Sequence, residues 1–155
     1  MIKKILPFER LVYNSTLSGE ELIPHLKSEI GQNGYSGKVY QNKFEIKRDI
    51  NYRNSFLPLI KGEVTNTVNG SKIDVKMDLI IFAKFFIIIW FGGVLLALLA
   101  TIYTFFNDGE SSINIIFIPA IMFVFGTILV ALGFKYESKK SINDLEKILK
   151  AKIQK

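Results

Sequence analysis

The chain has 155 residues, 49% of them hydrophobic and 22% charged, with 20 basic against 14 acidic side chains for a net charge of +6. Its length suits one compact domain; with no cysteine it has no disulfides, thiolate metal sites, cysteine nucleophile or iron–sulfur cluster, and the lone His25 cannot build a histidine-rich metal centre. The charge is unevenly spread: residues 80–134 hold only Lys84, Asp108 and Glu110, so the other 100 residues carry 31 of the 34 charges.

From the N-terminus, Lys3-Lys4 is followed by too short an apolar stretch for a secretory signal, so the N-terminal region is expected to stay where it is made. Residues 5–17 read as a strand whose Pro7 end suits a sheet edge. Ser18 and Glu21 have capping-box spacing, and Leu22, Leu26 and Ile30 form a helical stripe that Pro24 limits or bends. Gly31-Gln32-Asn33-Gly34 then closes that helix, with the next strand starting near Gly37 or Lys38.

Residues 38–79 read as a three-stranded antiparallel meander. Asn69-Gly70 is the favoured pair for a two-residue type I′ turn between two alternating segments, Ile60 to Val68 and Ser71 to Leu79. Pairing about that turn opposes Val64 with Val75, Gly62 with Met77 and Ile60 with Leu79 on the apolar face. A three-residue loop at 54–56 adds the segment Asn42 to Tyr52, with Ile46 opposite Val64. The polar face becomes a checkerboard in which Lys61 meets Asp49 and Asp78, and Glu63 meets Lys47 and Lys76.

Arg48 falls on the apolar face in the row of Gly62 and Met77. Two readings stand side by side: an arginine that snorkels or pairs with a helix carboxylate, or, with Tyr52 and Arg53 at the same end of the sheet, a ligand-binding contact for an anion or lipid headgroup.

Two apolar runs follow, at 80–106 and 113–134, each near or above the ~20 residues that cross a hydrocarbon core as a helix. The turn-forming stretch 107–112 between them makes the pair a transmembrane helical hairpin. That loop has no lysine or arginine, whereas Lys72, Lys76 and Lys84 flank one end and Lys135, Lys139 and Lys140 the other. Both termini are therefore expected to be cytoplasmic, in a multi-pass protein of the inner (plasma) membrane. Positive flanks of this kind account for much of the basic excess, so no nucleic-acid partner is expected. Lys84 reads as a snorkelling anchor, Pro119 as a kink, and Gly93, Ala97, Gly126 and Gly133 as small faces for helix packing. Ser141 to Ile153 reads as a basic amphipathic helix with Ile142, Leu145, Leu149 and Ile153 on one side.

The expected architecture is thus α+β: a cytoplasmic domain over 1–79, made of a small antiparallel sheet with one or two covering helices, a membrane hairpin over 80–134, and a basic helix over 135–155. The stretch from Phe44 to Gly62, FEIKRDINYRNSFLPLIKG, followed by Asn69-Gly70-Ser71 and two apolar spans, resembles an uncharacterised family of small bacterial membrane proteins; the resemblance implies no activity. The element order is also similar to the helix-grip arrangement of START-like lipid-binding domains.

No nucleophile with a base, carboxylate pair in a cleft, phosphate loop or metal constellation is legible, and His25 beside Leu22 and Leu26 reads as structural. No catalytic residue, metal or cofactor is expected. The leading expectation is a non-enzymatic membrane-anchored interaction or assembly module, whose partners are the bilayer and a protein or a second copy of the chain. The alternative is a cytoplasmic-face binder of lipid or another amphiphile.

Overall fold

Alternation of apolar and polar side chains over residues 60–68 and 71–79 predicts strands buried on one face, and the chain folds accordingly. The computed structural model describes residues 6–32, 34–107 and 114–154. In chain order the elements are β1 (Phe8–Ser15), α1 (Gly19–Glu29), β2 (Tyr35–Val39), β3 (Lys43–Arg48), β4 (Pro58–Thr67), β5 (Gly70–Leu79), α2 (Ile81–Asn107), α3 (Asn114–Ile148) and β6 (Ala151–Ile153). The strands form one antiparallel sheet in the order β2-β3-β4-β5-β1-β6, so the fold class is α+β. The described residues divide into two units: those up to Ile80 with those from Gly133 onward, and Ile81–Leu132.

Ser18 starts α1 as its spacing predicts. Its hydroxyl accepts from Glu21 N at 3.3 Å, and the Glu21 carboxylate accepts from Ser18 N at 3.0 Å, which also lowers the Glu21 pKa. Leu22, Ile23 and Leu26 are buried, and α1 lies against β2 and β4 despite Pro24 inside it. β6 pairs only with Tyr13–Ser15, so the Pro7 end of β1 keeps an open edge.

The meander has the expected faces and a different register. Thr67 pairs with Gly70 across Val68-Asn69, so Val64 opposes Ile73, Gly62 opposes Val75 and Ile60 opposes Met77, a slip of two residues. Neither turn residue has a positive φ, so the type I′ turn is not formed; the positive φ falls on Gly70, at 126°. β3 stops at Arg48 and β4 starts at Pro58, so the connection covers residues 49–57 rather than 54–56, and Ile46 meets Ile60. Phe44 therefore sits opposite Gly62, where a Cβ would stand 2.1 Å from its ring. Both shifts are even numbers of residues, so they leave every side chain on its face and are invisible to a burial pattern.

On the outer face the slip replaces the checkerboard. Lys61 opposes Glu45 and Lys76, and Glu63 opposes Lys43 and Asp74. The inner face carries the core: Phe44, Ile46, Ile60, Ile73, Val75 and Met77 are buried, as are Phe134 at the end of the apolar run and Leu145 and Leu149 beyond it.

The C-terminal segment differs from a separate helix over 141–153. α3 is continuous from Asn114 to Ile148, and residues 151–153 are strand β6. Lys150 takes φ 45°, and the Ser15 hydroxyl on β1 donates to Leu149 O at 2.9 Å, satisfying a carbonyl that the helix end leaves open. A burial stripe through Phe134, Ser138, Ser141 and Leu145 faces the sheet, while Ile142 is half-buried. With the final strand after the closing helix, the element order departs from the helix-grip sequence of strands ending in a helix.

In the second unit α2 and the first part of α3 pack through Phe91 and Phe123, edge to face at 5.1 Å, and through Gly126, where a Cβ would lie 3.1 Å from the Trp90 indole nitrogen. Gly93 and Ala97 take no part in that contact. Both are exposed, and the buried positions on this helix are Ala83 and Val94. Gly133 packs within the first unit, against Phe56. Residues 108–112 of the expected connecting loop, Lys3-Lys4 and Asn33 lie outside the described residues.

Candidate functional site

The strongest concentration of polar chemistry inside the first unit lies where α3 crosses the inner face of the sheet. Arg48 ends β3 opposite Tyr35 of β2, and its guanidinium lies 3.5 Å from both Glu137 Oε2 and Asp144 Oδ2 of α3. The Glu137 side chain is only 1% exposed, against 26% for Arg48. Tyr52 OH donates to Glu137 Oε1 at 2.5 Å and Asn54 Nδ2 to the same oxygen at 3.3 Å. Asn54 also accepts from Phe56 N at 2.9 Å, which folds the 49–57 connection so that it reaches the helix.

α3 is stitched to the sheet on both sides of this cluster. Lys135 pairs with Glu9 of β1, and Ser138 OH donates to the Met77 sulfur of β5 at 3.6 Å. One helical segment thus contacts β1, β5, β3 and, through Tyr35, β2.

Tyr35 is 2% exposed and donates to Asp144 Oδ2 at 3.3 Å. Burial first, and the Asp144 charge second, push its pKa from 10.0 up to about 12. Tyr13 is raised as well, chiefly by burial, and the hydrogen bond that Tyr52 donates to Glu137 raises Tyr52. A raised folded-state pKa means that the folded chain holds a proton which the unfolded chain releases. The Tyr35 contribution is therefore full below about pH 10 and is lost as the pH rises through about 12. Thermal melts should be flat in this respect below pH 10 and fall steeply above it, and Tyr35→Phe should make the alkaline fall shallower. An unchanged alkaline slope in that variant would show that Tyr35 is not held as described.

Of the residues singled out by sequence, the structure joins Arg48 and Tyr52 through Glu137. Arg53 is exposed in the connection and is not part of the cluster, and His25 is half-buried on α1. Glu137, Asp144 and Tyr35 were not legible as members, and Asn54 was legible only as a turn residue beside Tyr52 and Arg53. One signal for Glu137 exists: counting back from Leu149 and Leu145 at helical spacing places residues 141, 137 or 138 and 134 on the apolar face, and an acid there calls for a buried cation.

The open recess of about 410 Å³ beside Arg48 is lined by Glu29, Asp49 and Asp144 as well as Lys147. An anion entering it meets more carboxylates than cations. The chemistry of the cluster is therefore that of an internal ion pair holding a helix to a sheet. Among the described residues no group of three or more His, Asp or Glu is arranged to hold a metal ion.

Fold and cluster together define an α+β domain whose core helix continues from one of two long apolar helices. No family model matches the chain, and neither a curated protein nor a solved structure does.

Proposed function

We propose that the chain is a membrane-anchored docking module rather than an enzyme: α2 and the apolar part of α3 cross the inner (plasma) membrane, both termini are cytoplasmic, and the antiparallel sheet offers its outer face to a protein partner. The 27 residues of α2 and the apolar residues 114–134 of α3 support the anchoring, since about 20 residues suffice for a hydrocarbon core of about 30 Å. The observation that carries the docking reading is the contrast between the two faces of the sheet. The inner face is filled by fully buried side chains of the strands and α3, so the space in which an amphiphile would lie is occupied by protein. The outer face bears exposed charged side chains such as Arg10, Lys43, Lys61 and Glu63.

Topology is tested by single cysteines in this cysteine-free chain. A membrane-impermeant thiol reagent applied to intact cells should label Ser111→Cys and spare Asn14→Cys and Asn143→Cys; the reverse pattern would overturn the orientation. Docking is tested with a photo-crosslinking residue at Thr65, on the outer face, against one at Lys27 on α1. Protein adducts in living cells should form at the first position and not at the second, and the absence of adducts at Thr65 would remove the docking reading.

A further inference from the structure

The register of the sheet creates an electrostatic conflict on the outer face. One row across the strands reads Lys38, Glu45, Lys61, Lys76 and Arg10, so three cations stand directly opposite one another on β4, β5 and β1. Like charges in directly opposed positions repel. Two of the three are offset by acids, Lys61 by Glu45 at 2.8 Å and Arg10 by Asp74 at 3.1 Å, and the next acid, Glu63, is engaged by Lys43 at 3.1 Å. Lys76, exposed between Lys61 and Arg10, has no ion pair among the described residues. A shallow recess of about 350 Å³ lies over this row, bounded by Tyr40 and Thr65; its cations, Arg10, Lys43, Lys61 and Lys76, outnumber its carboxylates, Glu45, Glu63 and Asp74.

Resting on the docking reading above, we propose that this row is the recognition site and that its occupant is an extended acidic segment of a protein partner. The dimensions suit it. Neighbouring strands are ~4.8 Å apart, so the three cations span about 10 Å, and two carboxylates two residues apart on an extended chain, ~6.8 Å from each other, fit within that span on either side of Lys76. The row beside it holds Glu63 and Asp74, opposite each other. A uniform polyanion, such as a nucleic-acid backbone or an anionic bilayer surface, lies over those carboxylates too and is repelled by them. A peptide places acids over one row and neutral side chains over the next.

The site predicts a specific pair of effects at Lys76: loss of its charge relieves repulsion within the free protein and weakens partner binding. The probe is a fluorescein-labelled heptapeptide alternating threonine and glutamate, titrated at low ionic strength against the full chain in zwitterionic detergent micelles and read by anisotropy. Lys76→Glu should weaken binding at least tenfold and Lys76→Gln by less, with Lys76→Gln melting no lower than the parent. Lys27→Glu on α1 should bind as the parent does. Equal affinity of Lys76→Glu and the parent, no binding of the peptide to the parent, or equal binding of the lysine-for-glutamate peptide would overturn the proposal. Displacement of the peptide by short-chain phosphatidylglycerol at lower concentration than by unlabelled peptide would reassign the row to lipid headgroups and overturn it as well. Adducts from Thr65 in cells, together with a peptide that fails to bind, would retain the docking reading and eliminate the acidic segment.

Discussion

Arg48→Met is expected to destabilise the first unit by about 3 to 5 kcal/mol, the range for breaking a buried ion pair from one side. The variant keeps the alkyl stem of the side chain and removes the charge, leaving the Glu137 carboxylate, 1% exposed, with only the Tyr52 hydroxyl and the Asn54 amide as partners. Glu137→Leu should cost less. Arg48 then retains Asp144 at 3.5 Å and, at 26% exposure, has access to water. The double variant should be more stable than Arg48→Met alone, because replacing both members of a buried pair by apolar groups removes the desolvation penalty together with the attraction. Thermal unfolding of the four proteins in one detergent checks the order. Arg48→Met melting with the parent would mean that the pair does not hold α3 to the sheet.

Gly70→Val is expected to cost on the order of 4 kcal/mol, from two sources that add. Its φ of 126° is one that β-branched side chains avoid, a strain of about 1 to 3 kcal/mol. A Cβ there would also stand 2.1 Å from the Ser15 carbonyl oxygen, and backbone cannot turn aside as a side chain does. The clash falls where β1 meets β5 and where the Ser15 hydroxyl satisfies the end of α3, so strand pairing and helix closure are damaged together. Asn69→Ala, in the turn itself and without a positive φ, should cost less than about 1 kcal/mol. Equal melting temperatures for Gly70→Val and Asn69→Ala would contradict the described turn.

Features that depend on short-range periodicity are legible in the residues alone. The two apolar runs, the Ser18 and Glu21 cap and the side of the sheet on which Ile60, Val64 and Ile73 lie follow from residues a few positions apart, because helix and strand repeats are local geometry. Tertiary structure alone decided the register, since slips of two and four residues preserve each of those local signals; Phe44 over Gly62 and Gly70 against Ser15 are contacts between strands distant in the chain. It likewise decided where Arg48 finds its counter-charge. Glu137 comes from the part of α3 beyond the apolar region, and although helical spacing marks it as an acid on the apolar face, no spacing links it to Arg48. The outer row of cations is a product of the same register: moved by two residues, Lys61 would face Asp78, and only the packing of the core places it opposite Lys76.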